Sequence, residues 1–140
     1  MMPNTSAFQW FRLREAKKIK GYMRYTNPSA PYFSKDRFWW SSDPIKYSIK
    51  DSFTQAQDIH KQWLFENDII TMRLRTDAQK EFKAVILFDN DYFEFMAINC
   101  NDFTKIYASH WENYKLYFCS YLFINDDLKD SLILEGFLDD

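Results

Sequence analysis

Between residues 54 and 95 the apolar side chains come in short runs, each cut off by polar turn formers. Leu64-Phe65, Ile69-Ile70 and Val85-Ile86-Leu87-Phe88 are rich in β-branched and aromatic residues, and the basic segment Thr71-Met-Arg-Leu-Arg75 follows the second run directly. Short runs of that kind form strands rather than helices. Asp89-Asn90-Asp91 stands between residues 85–88 and 92–95 and reads as a hairpin tip, because Asn and Asp tolerate the left-handed backbone such a turn needs. The chain has only 2 Gly, so Asn, Asp, Ser and Pro must make most of its turns.

The flanks extend this reading. Residues 1–7 are polar and expected to fray. Phe8 and Trp10 alternate like a strand, Lys17, Lys18, Lys20 and Gly21 make a turn, and residues 22–25 begin a second strand. A helix through residues 12–20 competes with that hairpin on propensity. Asn27-Pro28 and Ala30-Pro31 mark a loop, and residues 41–44 another turn. Ile45, Tyr47 and Ile49 alternate with Lys46, Ser48 and Lys50, the pattern of a half-buried strand over 45–52. Residues 97–101 close the central sheet region. Asp102 is placed to N-cap a helical turn over 102–107, residues 116–124 read as a buried strand, and Asp126 and Asp127 suit the start of a short helix over 125–131. Residues 132–138 form an apolar terminal segment, and no internal repeat appears.

A length of 140 residues suits one domain with a real core. The expected architecture is a single α+β domain over 1–140, mostly β, with a few short helices and its central strand pairs in 54–95. Charge is unevenly placed. Residues 1–50 hold ten Lys/Arg and three Asp/Glu, and residues 51–140 hold eight and seventeen, so a +7 segment precedes a −9 segment. A dipolar surface is the plain consequence. A basic face for a polyanion, or an acidic face for a basic partner, is the functional one. No signal peptide or membrane span is visible, which makes the cytoplasm the default location and a membrane partner unexpected.

Little in the sequence points to catalysis. His60 and His110 lie far apart without metal spacing. Cys100 and Cys119 sit among aromatic and apolar residues, as buried thiols rather than a bridge or a zinc pair. Glu66 and Asp68 share one strand face and could do acid–base work, but carboxylates at a strand start commonly accept backbone N–H bonds. Asp89, Asp91 and Glu94 lack the spacing and the glycine of a calcium loop. No Gly-rich phosphate loop, nucleophile triad or helix-turn-helix is present. The expectation is a non-enzymatic binding protein without cofactor or metal; a homo-oligomer is compatible with it.

Aromatic residues reach 20%, with 14 Phe, 9 Tyr and 5 Trp. They mix with cations at residues 32–40 and along the N-terminal segment. Trp10, Arg12, Arg14, Lys17, Lys18, Lys35, Arg37, Trp39 and Trp40 form the candidate nucleic-acid-binding set, with Lys20 and Arg24 nearby. Single-stranded nucleic acid needs cations for its phosphates and flat rings for its bases. The competing reading makes Phe38, Trp39 and Trp40 core, with the cations on the wet side of the same strands, and the small size of the chain favours it.

Residues 54–70 also resemble the YopX-like family of phage and prophage proteins. Its members tend to carry T-G-L-x-D-x-N-G-x-x-I-F/Y-E-G-D-I-V/I. Thr54, Asp58, Leu64, Phe65, Glu66, Asp68, Ile69 and Ile70 match that register in type or identity without a gap. Phe11-Arg12-Leu13-Arg14 with Lys17-Lys18 resembles the family's opening strand and basic turn. Residues 85–95 are similar to its strand–turn–strand, and residues 120–128 to its I-G-N-I-x-x-N-x-x-L segment. Where the pattern has glycine, Gln55, Lys61, Asn67 and Ser120 stand here. Of these only Asn tolerates positive φ cheaply. The resemblance implies a small β-rich fold with an SH3-like barrel, no catalytic residues, and a phage or prophage accessory role of unassigned kind. Two uses are open: binding single-stranded nucleic acid, or acting as an immunity or anti-defence protein that blocks another protein through the acidic C-terminal half.

Overall fold

The computed structural model describes residues 9–27 and 30–139. The expected fraying of residues 1–7 and the strand position of Phe8 lie outside them, as do Pro28 and Ser29 of the expected loop. Strands take 52% of the described residues and helices 14%, so the protein is mostly β. It divides into two compact units, Met1–Ala56 and Gln57–Asp140.

In the first unit β1 (Trp10–Glu15), β2 (Lys18–Asn27), β3 (Ala30–Ser34) and β4 (Ile49–Gln57) pair antiparallel in the order β3-β2-β1-β4. The hairpin wins over the competing helix, and its turn falls at Ala16-Lys17, with Ala16 at φ 50°. Alternation puts Phe11 and Leu13 on one face of β1 and Trp10, Arg12 and Arg14 on the other. Leu13, Met23 and Phe33 form a buried cluster with Phe11, Tyr25 and Ile45 packed against it. Gly21 is required here by close approach. A Cβ at that position would stand 2.7 Å from both the Ser34 carbonyl oxygen and Ile45 Cδ1.

The second unit contains the short strand β5 (Trp63–Phe65), then β6 (Asp68–Leu74), β7 (Glu81–Asp89), β8 (Glu94–Asn99), β9 (Lys105–Tyr107) and β10 (Tyr114–Tyr121). The antiparallel sheet runs β10-β6-β7-β8-β9. Ile69 stands opposite Val85, and Val85 opposite Ile98, which makes an apolar row across three strands. With Leu87, Met96, Leu122 and Leu132 this row forms the core of the unit. Leu132 comes from α1 (Asp126–Leu134). Asn125 caps that helix by accepting the Leu128 N–H at 3.2 Å, and Asp126 and Asp127 occupy its first turn, where the helix dipole favours negative charge.

Among the described residues no sheet closes on itself; the strands pair into two open antiparallel sheets, and this pairing does not establish the expected SH3-like barrel. Three local expectations are corrected. Residues 44–47 are irregular and β4 begins at Ile49; Ser48 already donates its N–H to the Arg14 carbonyl of β1 at 3.1 Å, and Ile45 still packs on the first core. Residues 105–107 form β9 rather than a helical turn. Asp102 accepts the Thr104 N–H at 3.0 Å in a local turn, and the short 3-10 helix comes later, at Ala108–Asn113. The last three residues of the expected strand over 116–124 wind into a 3-10 turn, Leu122–Ile124.

Candidate binding site

After β3 the chain enters a loop over residues 35–48 whose first part is fixed by side chains. Ser34 Oγ accepts the Arg37 N–H at 2.8 Å and the Asp36 N–H at 3.2 Å. Asp36 Oδ1 accepts the N–H groups of Phe38 at 2.8 Å and Trp39 at 3.0 Å, and the Ser34 hydroxyl donates to it at 3.0 Å. Those bonds, led by the Trp39 and Phe38 amides, hold the Asp36 carboxyl below its ordinary range. Two backbone bonds between Phe33 and Ser41, at 2.8 and 3.0 Å, close the loop at its base. Within it Arg37 takes φ 72°, a left-handed conformation that costs a non-glycine residue about 1–3 kcal/mol.

This turn divides the aromatic cluster. Trp40 folds back onto the sheet. Its indole N–H donates to the Arg37 carbonyl at 3.0 Å, and its ring meets Trp10 edge-on with centroids 5.2 Å apart. The Arg24 guanidinium lies 4.3 Å from the Trp40 centroid and 5.4 Å from that of Trp10. Among the described residues the buried Arg24 Nε has no hydrogen-bond partner, and the two rings are the cation's neighbours. Tyr32, Arg24 and Trp10 are directly opposite one another across three strands, and Phe53 is 6.5 Å from Trp10. Arg37 lies over Tyr22 at 5.4 Å. Phe38 and Trp39 point the other way and are 85% and 79% exposed. Beside them is a cleft of about 520 Å³, lined by Phe33, Lys35, Asp36, Trp39, Pro44 and Ile45 among others.

The residues proposed from sequence therefore separate into three groups. Trp10, Lys35, Arg37, Trp39 and Trp40 belong to the loop and the sheet beneath it. Lys17 and Lys18 are exposed at the β1–β2 turn, roughly 15–20 Å along β1 from Trp10 at about 3.3 Å per residue. Arg12 and Arg14 are not surface cations. Both are buried on Asp51: Arg12 Nη2 and Arg14 Nε each lie 2.9 Å from its Oδ2. The core reading of Phe38 and Trp39 is also corrected, since both rings face solvent. Phe38 and Arg24 enter the site although the sequence set omitted them. The signal for Phe38 was the Ser34-Lys-Asp36 turn motif directly after a strand, which places the following rings on a loop.

Elsewhere the bland readings describe the chemistry. Asp68 is fully buried and accepts the Phe65 N–H at 2.7 Å. His60 and His110 are exposed. The cysteines are unbridged. Cys100 is half-buried, and burial raises its pKa. Cys119 is exposed, contrary to expectation, with its Sγ 3.0 Å from Thr71 Oγ1. Among the described residues no group of three or more His, Cys, Asp or Glu is arranged to hold a metal ion, and no helix is long and apolar enough to cross a membrane. Comparison of the chain with protein-family models, curated proteins and solved structures finds no match.

Proposed function

We propose that this protein is a non-enzymatic binding module that holds single-stranded nucleic acid on the loop after β3. The observation that carries the reading is the adjacent pair Phe38 and Trp39, displayed to solvent on a turn fixed by Ser34 and Asp36. Rings carried outward on a backbone that is already fixed spare the cost of ordering the loop when a base stacks on them. Lys35 and Arg37 precede the pair in the same loop, and residues 1–56 carry ten Lys/Arg against four Asp/Glu. Arg12 and Arg14 support the sheet from inside and contact no phosphate. With a whole-chain charge of −2, binding depends on short-range contacts and falls steeply with salt.

Fluorescence anisotropy with a labelled oligonucleotide at low salt tests this. Trp39→Ala is expected to weaken binding about tenfold, since stacking contributes about 1–3 kcal/mol per base, and Phe38→Ala comparably. Lys35→Glu should flatten the salt dependence. Absence of binding at low salt, or binding indifferent to all three changes, removes the nucleic-acid reading. The acidic second unit, with eight Lys/Arg against sixteen Asp/Glu, favours the other reading, a basic protein partner, and copurification of such a partner would decide for it.

The same proposal places the chain as a divergent YopX-like phage or prophage protein. Its support is conformational. Gln55, Lys61 and Asn67 have φ of 70°, 65° and 73°, and all three stand where the family pattern has glycine. Ser120, the fourth such position, adjoins a register shift between β10 and β6. A glycine relieves left-handed strain but adds unfolded-state entropy, so Lys61→Gly is expected to stabilise the protein by about 0.5–1 kcal/mol. Urea unfolding reads that gain, and a destabilised variant would count against an ancestral glycine there.

A further inference from the structure

A second cavity lies in the second unit, between the β7–β8 hairpin tip and the corner where β9 meets the 3-10 helix. It measures about 300 Å³ and is lined by Tyr92, Glu94, Tyr107, Ser109 and His110. Tyr92 and Tyr107 present their rings at 78° to one another, with centroids 5.6 Å apart. Asp89 sets this geometry. Its Oδ1 accepts the N–H groups of Asp91 at 2.9 Å and Tyr92 at 3.3 Å, which shapes the hairpin tip. Its Oδ2 accepts the Tyr107 hydroxyl at 2.7 Å, which orients that ring. Glu94 is held in the same way: Oε1 accepts the Ser109 N–H at 2.7 Å, and Oε2 accepts no hydrogen bond among the described residues.

We propose that this cleft is a binding site for an alkylammonium ion, a group of the size and charge of choline or of a lysine terminus. Two tyrosine rings packed edge to face line the cleft, an aromatic surface attracts an organic cation, and Glu94 supplies the counter-charge. No lysine or arginine lines the cavity; Lys105, the nearest in sequence, lies over the Phe137 ring at 5.7 Å. The charged carboxylate of Glu94 in the lining disfavours an anion. The volume is at the small end for ligand clefts and suits one such group rather than a nucleotide. Tyr92 is 71% exposed, so its ring is not needed to fill the core. The net negative charge of this unit would concentrate cations near it. The site is separate from the loop after β3 and does not depend on the nucleic-acid reading.

Amide NMR spectra of the intact protein, titrated with choline chloride, test the proposal. Its neutral isostere 3,3-dimethylbutan-1-ol and a Gly/Ser peptide carrying one trimethyllysine are titrated in parallel. Choline should shift the Tyr92 and Ser109 signals saturably, and the isostere should bind about two- to fivefold more weakly, the difference one charge–ring contact makes at an exposed site. Tyr92→Ala and Glu94→Gln should each weaken choline binding several-fold while signals outside the cleft stay in place. Tighter binding of the peptide than of choline identifies a protein side chain as the source of the cation, and equal or weaker binding identifies a free ammonium compound. Failure of both choline and the peptide to saturate, equal affinity for choline and its isostere, or unchanged choline binding in both variants overturns the site.

Discussion

Asp51→Ala is expected to lower the unfolding free energy by about 3–5 kcal/mol, the usual cost of removing one partner from a buried ion pair. Asp51 is fully buried, and two guanidiniums converge on it. Arg14 binds it through two bonds, Nε to Oδ2 at 2.9 Å and Nη2 to Oδ1 at 3.2 Å, and Arg12 Nε adds a third at 3.0 Å. Without the carboxylate, two buried guanidiniums lose the counter-charge on which both converge. Asp51→Asn should cost nearly as much, because an amide of the same shape still removes the charge that both guanidiniums face. Replacing all three residues with apolar ones of similar volume should recover most of the loss, since the trio is costly to break rather than strongly stabilising in itself. Urea unfolding of the three variants measures this. An Asp51→Ala protein as stable as the wild type would show that Arg12 and Arg14 find other partners.

Asp58→Ala is expected to cost about 3 kcal/mol, because bonds to a charged acceptor contribute about 1.5–3 kcal/mol each and do not add fully. Its Oδ1 accepts the N–H groups of His60 at 2.8 Å and Gln62 at 2.9 Å, and Oδ2 accepts the Phe118 N–H at 3.1 Å. One carboxylate thus shapes the 58–62 turn and ties it to β10. Burial pushes its pKa up, but the three amides, led by Phe118, outweigh burial and hold it below the usual 3.8. A depressed folded-state pKa adds stability that is fully present above the unfolded value and is lost as pH falls through the folded one. Stability should therefore hold down to about pH 4 and decline below it, in the range where the unfolded-state carboxylate titrates. Asp36, Asp89 and Asp102 are shifted in the same direction. Asp58→Asn should flatten that acid decline, and a decline as steep as the wild type's would assign it to the other three.

The features legible in the sequence are those set by neighbours in the chain. The 89–91 tip needs only Asn and Asp between two apolar runs, and Asp89 does accept the amides of Asp91 and Tyr92. The start of α1 needs only Asn125 and two aspartates. The mostly β composition follows from the short apolar runs. Tertiary structure decided what depends on distant partners. Arg12 and Arg14 have the composition of a phosphate-binding strand, but the β1–β4 register brings Asp51, 39 and 37 residues away, beneath both. Asp58 meets Phe118 across 60 residues. The alternation over 45–48 is strand-like, yet residues 44–47 stay irregular and the pairing with β1 begins only at Ser48 and Ile49, because alternation specifies a face and not a neighbour. Phe38, Trp39 and Trp40 are alike in hydrophobicity. Their division into two solvent-facing rings and one packed on Arg24 was made by the Ser34–Asp36 turn and the bonds that close the loop between Phe33 and Ser41.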